Sequence, residues 1–328
     1  MPIRSSGKLD IIIPVYNKEK YLEKCVNSAL SQSYAPDTVI LADDGSTDGS
    51  AALCDKLAAE NEKIKVIHKE NGGAASARNA GLAISEGDYV GFIDADDWVD
   101  ADMYEKLITG IESDPELKVA EVKGGGNGLK PSGREPAILS PEDYFCELMM
   151  HTGDASMCTK VFKGDFIRKF RFREGEYNED FELLLRMLPE FEKGILDLDT
   201  PGYNIELSEG SVTRSAYRQK FYSDMMQNAF IALRVSREKF PFQIERAERF
   251  VYIQALDFML HIPVEEMNRK NAFYMRILRY LRSEEQKIMK NRYLSTKDRN
   301  YLILLLETPV AARKTHRFVM KARGKRDA

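Results

Sequence analysis

Apolar residues along the first hundred positions fall into two alternating rhythms. Four short, nearly unbroken apolar runs recur: Leu9-Asp10-Ile11-Ile12-Ile13, Thr38-Val39-Ile40-Leu41-Ala42, Ile64-Lys65-Val66-Ile67 and Tyr89-Val90-Gly91-Phe92-Ile93. Each is too short for a helix and apolar on both faces, as a buried strand is. Pro14 predicts that the first strand stops there. Between the runs the spacing changes to the helical period. Residues 19–33 put Tyr21, Leu22, Cys25, Val26, Ala29 and Leu30 on one face, and residues 48–60 and 74–84 follow as the next two helices. Strand and helix in alternation predict parallel βαβ units. Ligands of such sheets sit beyond the carboxyl ends of the strands. The polar residues gather there: Tyr16 and Asn17, Asp43 and Asp44, Asn71 to Arg78, and Asp94 to Asp97.

The pattern changes after Asp114. Gly124-Gly125-Gly126-Asn127-Gly128, with Pro131, Gly133 and Pro136 after it, has no periodicity and reads as a loop or lid. Mixed structure returns over 141–214, with helical spacing at Pro141–Met150 and Glu179–Met187. From Ala216 the chain reads as mostly helical, with repeats such as Phe221, Met225, Ala229 and Leu233. The expected fold class is α/β, a sheet with helices on both faces, followed by a helical C-terminal region.

Composition narrows the function classes. The chain has 328 residues, 43% hydrophobic and 30% charged, which is the make-up of a globular protein. A formal net charge of −4 gives no footprint for nucleic acid. The four cysteines contain no C-x-x-C pair, which argues against a zinc ribbon or a disulfide framework and suits a reducing compartment. No signal-peptide core begins the chain, and no apolar run nears the roughly 20 residues that span a bilayer. The expected localisation is cytoplasmic. Charge is uneven, however: Arg313 to Arg326 holds seven Lys or Arg and no acid.

The chemistry concentrates in four places. Asp94-Ala95-Asp96-Asp97 sets three carboxylates at a strand end, where they repel one another unless a cation joins them. Magnesium takes one or two protein carboxylates together with phosphate oxygens; the alternative is a solvated acidic turn before the next helix. Asp43-Asp44-Gly45-Ser46-Thr47-Asp48 suits either a turn with a helix cap or a carboxylate that accepts the imide N–H of a uracil ring. Asn71-Gly72-Gly73-Ala74-Ala75-Ser76-Ala77-Arg78 opens a helix with small residues, and helix N-termini favour phosphate, with Arg78 as a counter-charge. The same residues also make a glycine turn and an alanine-packed helix. Glu179-Asp180 begins a further helix, where acids suit the dipole.

In this order the motifs resemble the inverting glycosyltransferase family 2 with its GT-A fold, a Rossmann-like nucleotide-binding sheet. The resemblance runs from Ile11-Ile12-Ile13-Pro14-Val15-Tyr16-Asn17 through Ser31-Gln32-Ser33-Tyr34, the Asp43, Asn71 and Asp94 motifs, and Cys158-Thr159-Lys160-Val161-Phe162. It ends at Gly210-Ser211-Val212-Thr213-Arg214, covering roughly residues 9–214. It implies a glycosyltransferase domain over 1–214, with a nucleotide-sugar half at about 9–115 and an acceptor and catalytic-base half at 116–214. A helical region would fill 215–328. It also implies that Pro14, Tyr16, Asp43 and Asp44 hold the base, with Asn71, Gly72 and Ala95 lining the donor. Arg78 would face the base or diphosphate and Asp94 the ribose, with Asp96, and Asp94 beside it, as candidates for a Mn²⁺ or Mg²⁺ ion. Asp180, beside Glu179, matches the general base that deprotonates an acceptor hydroxyl. Where relatives carry aromatic and basic residues before Gly210-Ser211, this chain reads Tyr203-Asn204-Ile205-Glu206-Leu207, which leaves Arg214 as the expected cation there.

The expected activity is transfer of a hexosyl or N-acetylhexosaminyl unit from a nucleotide sugar, in particular a UDP-sugar, to a saccharide or lipid-linked saccharide of a surface polysaccharide. Two rivals are a non-catalytic nucleotide-sugar-binding or scaffold protein and a sugar nucleotidyltransferase. The second wants a glycine- and basic-rich loop after the first strand, where Pro14-Val15-Tyr16-Asn17 stands. The helical tail is a candidate for homodimerisation or an acceptor-site brace. Its basic end, with Phe318, Val319 and Met320, is a candidate for peripheral contact with the inner face of the membrane; the alternative is a solvated helix end.

Overall fold

The structure, a computed structural model, describes residues 7–124, 130–206 and 217–322. Residues 125–128 of the glycine-rich stretch and Arg214 therefore lie outside the described residues, as do the last three basic residues of the tail. The chain divides into two compact units, Met1–Ser208 and Glu209–Ala328.

The first unit begins β1 (Leu9–Val15), α1 (Leu22–Leu30), β2 (Thr38–Asp43), α2 (Ser50–Glu60), β3 (Ile64–His68), α3 (Ala74–Ile84) and β4 (Tyr89–Phe92). Every residue of β1 except Pro14 is buried, so both faces of the sheet are covered at that strand. Pro14 does not end the strand. Its missing N–H falls on the β4 side, where pairing closes as the Ile93 N–H donates to the Ile12 carbonyl, while Val15 still accepts from Asp44 N on the β2 side. Helix α1 is shorter than its apolar spacing suggests, and just past its C-terminal end the chain is held by other segments. Buried Gln32 donates to the Asp100 carbonyl at 2.8 Å and accepts from Tyr104 N at 3.2 Å. Helix α2 starts at Ser50, whose N–H is taken by Asp48 Oδ1 at 2.9 Å.

The remaining elements are β5 (Trp98–Val99), α4 (Met103–Glu112), β6 (Val119–Gly124), β7 (Ala137–Leu139), α5 (Pro141–Met150), β8 (Lys160–Lys163), α6 (Gly164–Ile167), α7 (Glu179–Met187) and β9 (Ile195–Asn204). The sheet runs β3-β2-β1-β4-β8-β6-β9-β5, with β7 also on β9. The four strands predicted as parallel are parallel. The second half is mixed: β8 is antiparallel to both β4 and β6. Because β1 has β2 on one flank and β4 on the other, strand order reverses there. The crevice beyond the ends of β1 and β4 is where such sheets hold ligands.

A buried ion group fastens the second half. Lys160 on β8 is fully buried, with its ammonium 3.0 Å from Glu121 Oε2 and donating to the carbonyls of Asp154 (2.7 Å) and Ser156 (2.8 Å). Tyr144 also donates to Glu121. Lys123 reaches Asp197 at 2.7 Å alongside.

The second unit contains α8 (Gln219–Lys239), α9 (Ile244–His261), α10 (Ala272–Ser283), α11 (Glu285–Lys290), α12 (Thr296–Glu307) and α13 (Pro309–Ala322), which agrees with the helical reading. Buried Arg313 of α13 donates through Nε to the Ile262 carbonyl at 3.0 Å, covering the C-terminal end of α9. No described helix is long and apolar enough to cross a membrane. Helix α13 carries no acid, and its Lys314, Arg317, Phe318 and Lys321 share one exposed stripe at i, i+3, i+4, i+7, with Phe318 74% exposed.

Removing one member of a buried ion pair strands the other, at a cost of ~3–5 kcal/mol. Lys160→Met should lower stability by that order in urea unfolding. The double variant Lys160→Met/Glu121→Gln should recover a large part of the loss, and a cycle with no coupling between the two would contradict the pairing.

Candidate functional site

The acidic turn after β4 is built by the strand that packs beside it. Asp97 N donates to the Asp94 carbonyl at 2.9 Å, closing the turn. Tyr203 near the end of β9 is buried; its phenol accepts from Asp94 N at 3.1 Å and donates to Asp97 Oδ2 at 2.7 Å. Asp97 Oδ1 takes the Glu206 N–H at 2.9 Å. Burial pushes the Asp97 carboxyl up to about 6, against the pull of the Tyr203 hydrogen bond and with the push of neighbouring Asp94. Asp97 is thus an internal brace. Asp94 and Asp96 keep more open side chains, 42% and 20% exposed, and Ala95 between them is buried.

Arg78 on α3 joins this turn to the second half of the sheet. Its Nη2 donates to Asp94 Oδ1 at 2.7 Å, and its Nη1 to Glu179 Oε1 at 2.7 Å and Asp180 Oδ1 at 3.2 Å. The guanidinium is almost fully buried and lies 5.5 Å from the Phe172 ring. Next to it, Asn79 exchanges hydrogen bonds with the Phe172 backbone at 2.8 and 2.9 Å. Arg78, expected to face the base or diphosphate, directs both terminal nitrogens to three carboxylates. Asp180 sits in the first turn of α7, behind Asn178 at φ 60°, and its other oxygen accepts from Met157 N at 3.0 Å. Burial raises the Asp180 carboxyl to about 6; Arg78 opposes the rise and Glu179 adds to it. A carboxylate with that proton affinity is suited to take a proton near neutral pH.

The phosphate-cradle expectation meets a different arrangement. Buried Asp44 accepts from Gly72 N at 3.0 Å, Gly73 N at 2.7 Å and Lys69 Nζ at 2.6 Å, while Asn71 Nδ2 donates to the Asp44 carbonyl at 2.9 Å. The chain supplies its own anion to the positive end of α3. Asp43 accepts from Ser46 N and lies 3.0 Å from His68 Nδ1; these hydrogen bonds outweigh its burial and hold its carboxyl below the usual range. Tyr16 stands 45% exposed beyond β1, with Pro14 half-buried before it. Arg214 lies outside the described residues.

The sheet thus gathers Pro14, Tyr16, Asp43, Asp44, Asn71, Gly72 and Asp94 to Asp97 around the ends of β1, β2 and β4, and Arg78 ties Glu179 and Asp180 to them. Sequence reasoning missed three contributors. Tyr203 was noted as a departure from the family pattern, yet it is the strap of the acidic turn. Lys18, directly after the Tyr16-Asn17 motif, pairs with Asp96. Met157 supplies the backbone donor to Asp180, which no side-chain pattern could signal.

Several known proteins resemble this chain. Residues 10–171 match the family described as glycosyl transferase family 2. Glycosyltransferase GlyA of Streptococcus pneumoniae serotype 4 is 30% identical over 220 residues, 63% of this chain and 32% of that protein. The chain spans about a third of the length of that and other curated relatives. A crystal structure of S. aureus TarS 1-349 in complex with UDP-GlcNAc superposes with a TM-score of 0.70 at 20% identity, covering 97% of this chain and 92% of that one. A mannosyltransferase from Pyrobaculum calidifontis in complex with GDP-Man and Mn²⁺ gives a TM-score of 0.53 at 14% identity, over 98% and 89%. These likenesses establish a GT-A-type fold.

Tyr203→Phe should cost about 1–3 kcal/mol, since it leaves the Asp94 N–H without its acceptor and Asp97 Oδ2 without its phenol donor. The Asp97 carboxyl already titrates above its unfolded value, so the folded state loses stability as pH rises through about 6. The O–H bond favours the ionised form, so the deficit of the variant in chemical denaturation should be larger at pH 8 than at pH 5.

Proposed function

This chain belongs, through residues 10–171, to glycosyl transferase family 2, and on that premise we propose that it is an inverting, metal-dependent glycosyltransferase. It takes a nucleotide sugar, in particular a UDP-sugar carrying a hexosyl or N-acetylhexosaminyl unit, and extends a saccharide or lipid-linked saccharide of a surface polysaccharide. The observation that carries the reading is the convergence of Asp94, from the acidic turn, and a proton-attracting Asp180 on one arginine. A UDP-GlcNAc complex of a protein with the same fold supports the choice of donor class.

Tyr16 offers an exposed aromatic face for the base at the mouth of the crevice. Asp94 and Asp96 are hard oxygen donors two residues apart. Among the described residues no cluster of three or more His, Cys, Asp or Glu forms a closed metal cage. A pair of carboxylates with coordination positions left for phosphate is what Mg²⁺ or Mn²⁺ takes, so the donor set fits. Asp96 would ligate the ion, with Asp94 toward the ribose. Such an ion, when bound, neutralises charge on the departing diphosphate. Asp180 accepts the proton of the acceptor hydroxyl as that oxygen attacks the anomeric carbon from the face opposite the diphosphate. The bond to the diphosphate breaks in the same displacement, and the configuration inverts. Arg78 and Met157 N hold the Asp180 carboxylate in place, with Glu179 alongside it.

The exposed, acid-free face of α13 with Lys314, Phe318 and Lys321 supports a second component of this reading, peripheral attachment to an anionic membrane surface, where a lipid-linked acceptor resides.

Asp180→Asn should abolish transfer, a loss of ~10²–10⁴-fold or more, while leaving nucleotide binding in calorimetry close to wild type. Wild-type turnover in that variant would remove Asp180 as the base, and nucleotide-sugar binding without transfer in every wild-type preparation would favour a binding module. Because the base must be ionised, kcat should fall as pH drops through about 6, well above the range of an ordinary aspartate. For the membrane component, the full chain should float with vesicles containing phosphatidylglycerol and not with purely zwitterionic ones. Lys314→Glu/Lys321→Glu should abolish flotation; equal flotation of the variant would refute the role of α13.

A further inference from the structure

Lys18 has a role that the family motifs do not supply. It lies two residues beyond Tyr16, in the link between β1 and α1, and its backbone is fixed at both ends. Its N–H donates to Ser50 Oγ at 2.8 Å, and its carbonyl accepts from Tyr21 N at 2.9 Å and Leu22 N at 3.0 Å. The residue before it, Asn17, adopts a left-handed φ of 53° and receives Thr47 N on its side-chain oxygen at 2.8 Å. A clamped backbone leaves the Lys18 side chain to cross the crevice between the ends of β1 and β4. There its ammonium forms an ion pair with Asp96 Oδ2, with side chains 31% and 20% exposed. Nearby Lys24 is engaged differently, over the Trp98 ring and 3.7 Å from Glu206.

A resident cation on the carboxylate that would ligate a divalent ion has consequences for binding order. We propose that Lys18 is a built-in counter-ion of the acidic turn, which competes with the divalent cation for Asp96 and transfers to the donor diphosphate when ion and nucleotide bind together. The inference rests on the reading of Asp96 as a metal ligand. With the crevice empty, Lys18 offsets the mutual repulsion of Asp94, Asp96 and Asp97, so an ion arriving alone must break an existing pair. When the ion brings a diphosphate, the displaced ammonium gains new anionic oxygens and the loss is recovered. Ion and nucleotide then strengthen each other's binding through Lys18, and the coupling is equal in both directions. The short β1–α1 link thereby discourages the acidic turn from retaining metal without a donor.

The test is Mn²⁺ titration of the full chain, followed by the electron paramagnetic resonance signal of free Mn²⁺, with and without UDP. Lys18→Met should bind Mn²⁺ alone about three- to fivefold more tightly than wild type, the size of one partly exposed ion pair. UDP should then enhance Mn²⁺ binding by a correspondingly smaller factor than in wild type. Lys18→Arg, which keeps the charge, should behave as wild type, and Lys20→Met on the exposed neighbour should change nothing. Equal Mn²⁺ affinity in Lys18→Met and wild type would overturn the proposal, as would an equal gain in Lys20→Met, which would reduce the effect to bulk charge. Asp96→Asn separates the two layers. If it leaves Mn²⁺ binding intact, the assignment of Asp96 as ligand fails. If it weakens binding while Lys18→Met is silent, the role of Lys18 alone fails.

Discussion

One guanidinium holds the two halves of the first unit in working relation. Arg78 rises from α3, in the parallel half of the sheet, and its two terminal nitrogens are shared among Asp94, Glu179 and Asp180. Burial works against its charge, and the carboxylates more than compensate, so the guanidinium stays firmly protonated. Three acids brought together without it would repel at short range in a poorly solvated place. A carboxylate proposed to touch the donor and one proposed to take the acceptor proton therefore share a single fixed reference. Asn79 reinforces the junction with its paired bonds to the Phe172 backbone. The Asn71 to Arg78 segment reads in sequence as a phosphate loop with a counter-charge; in space its arginine joins three carboxylates from both halves of the sheet.

The parallel half of the fold was legible because local pattern and final environment agree. Strands β1, β2 and β4, covered on both faces, show apolar runs, and β1 through β4 emerge within a residue or two of those runs, although β3 at the sheet edge exposes Lys65 and His68. Helices α3, α5 and α7 match their spacing at both ends. The antiparallel insertion of β8 was not legible, since four residues are too few to show a period and strand direction is a property of the whole sheet. The Ser31-Gln32-Ser33-Tyr34 motif was visible but uninformative in function. Its Gln32 clamps the backbone around Asp100 and Tyr104, a role that only distance reveals.

The site was legible as a roster of residues and illegible as a wiring diagram. Asp44 stands in the sequence as a candidate for the base, and in the structure its oxygens are turned onto Gly72, Gly73 and Lys69. Sequence spacing locates an acid at a strand end and says nothing about which way its oxygens point. Tyr203 shows the same limit in reverse. It stands where a family pattern expects other chemistry, and only the pairing of β5 with β9 brings its phenol under the acidic turn. Lys18 carried no signal, because a lysine in a loop is ordinarily a solvated one.

The charge pairs have a further consequence for how the protein comes into being. Asp44 has Lys69, Asp96 has Lys18, and Asp94, Glu179 and Asp180 have Arg78. Small metal domains whose ligands lack such partners stay unfolded until the ion arrives. Here three cations of the chain already offset much of the charge of these five acids, so the fold is fastened before any ligand binds. The first unit can therefore leave the ribosome and collapse on internal charge pairs alone.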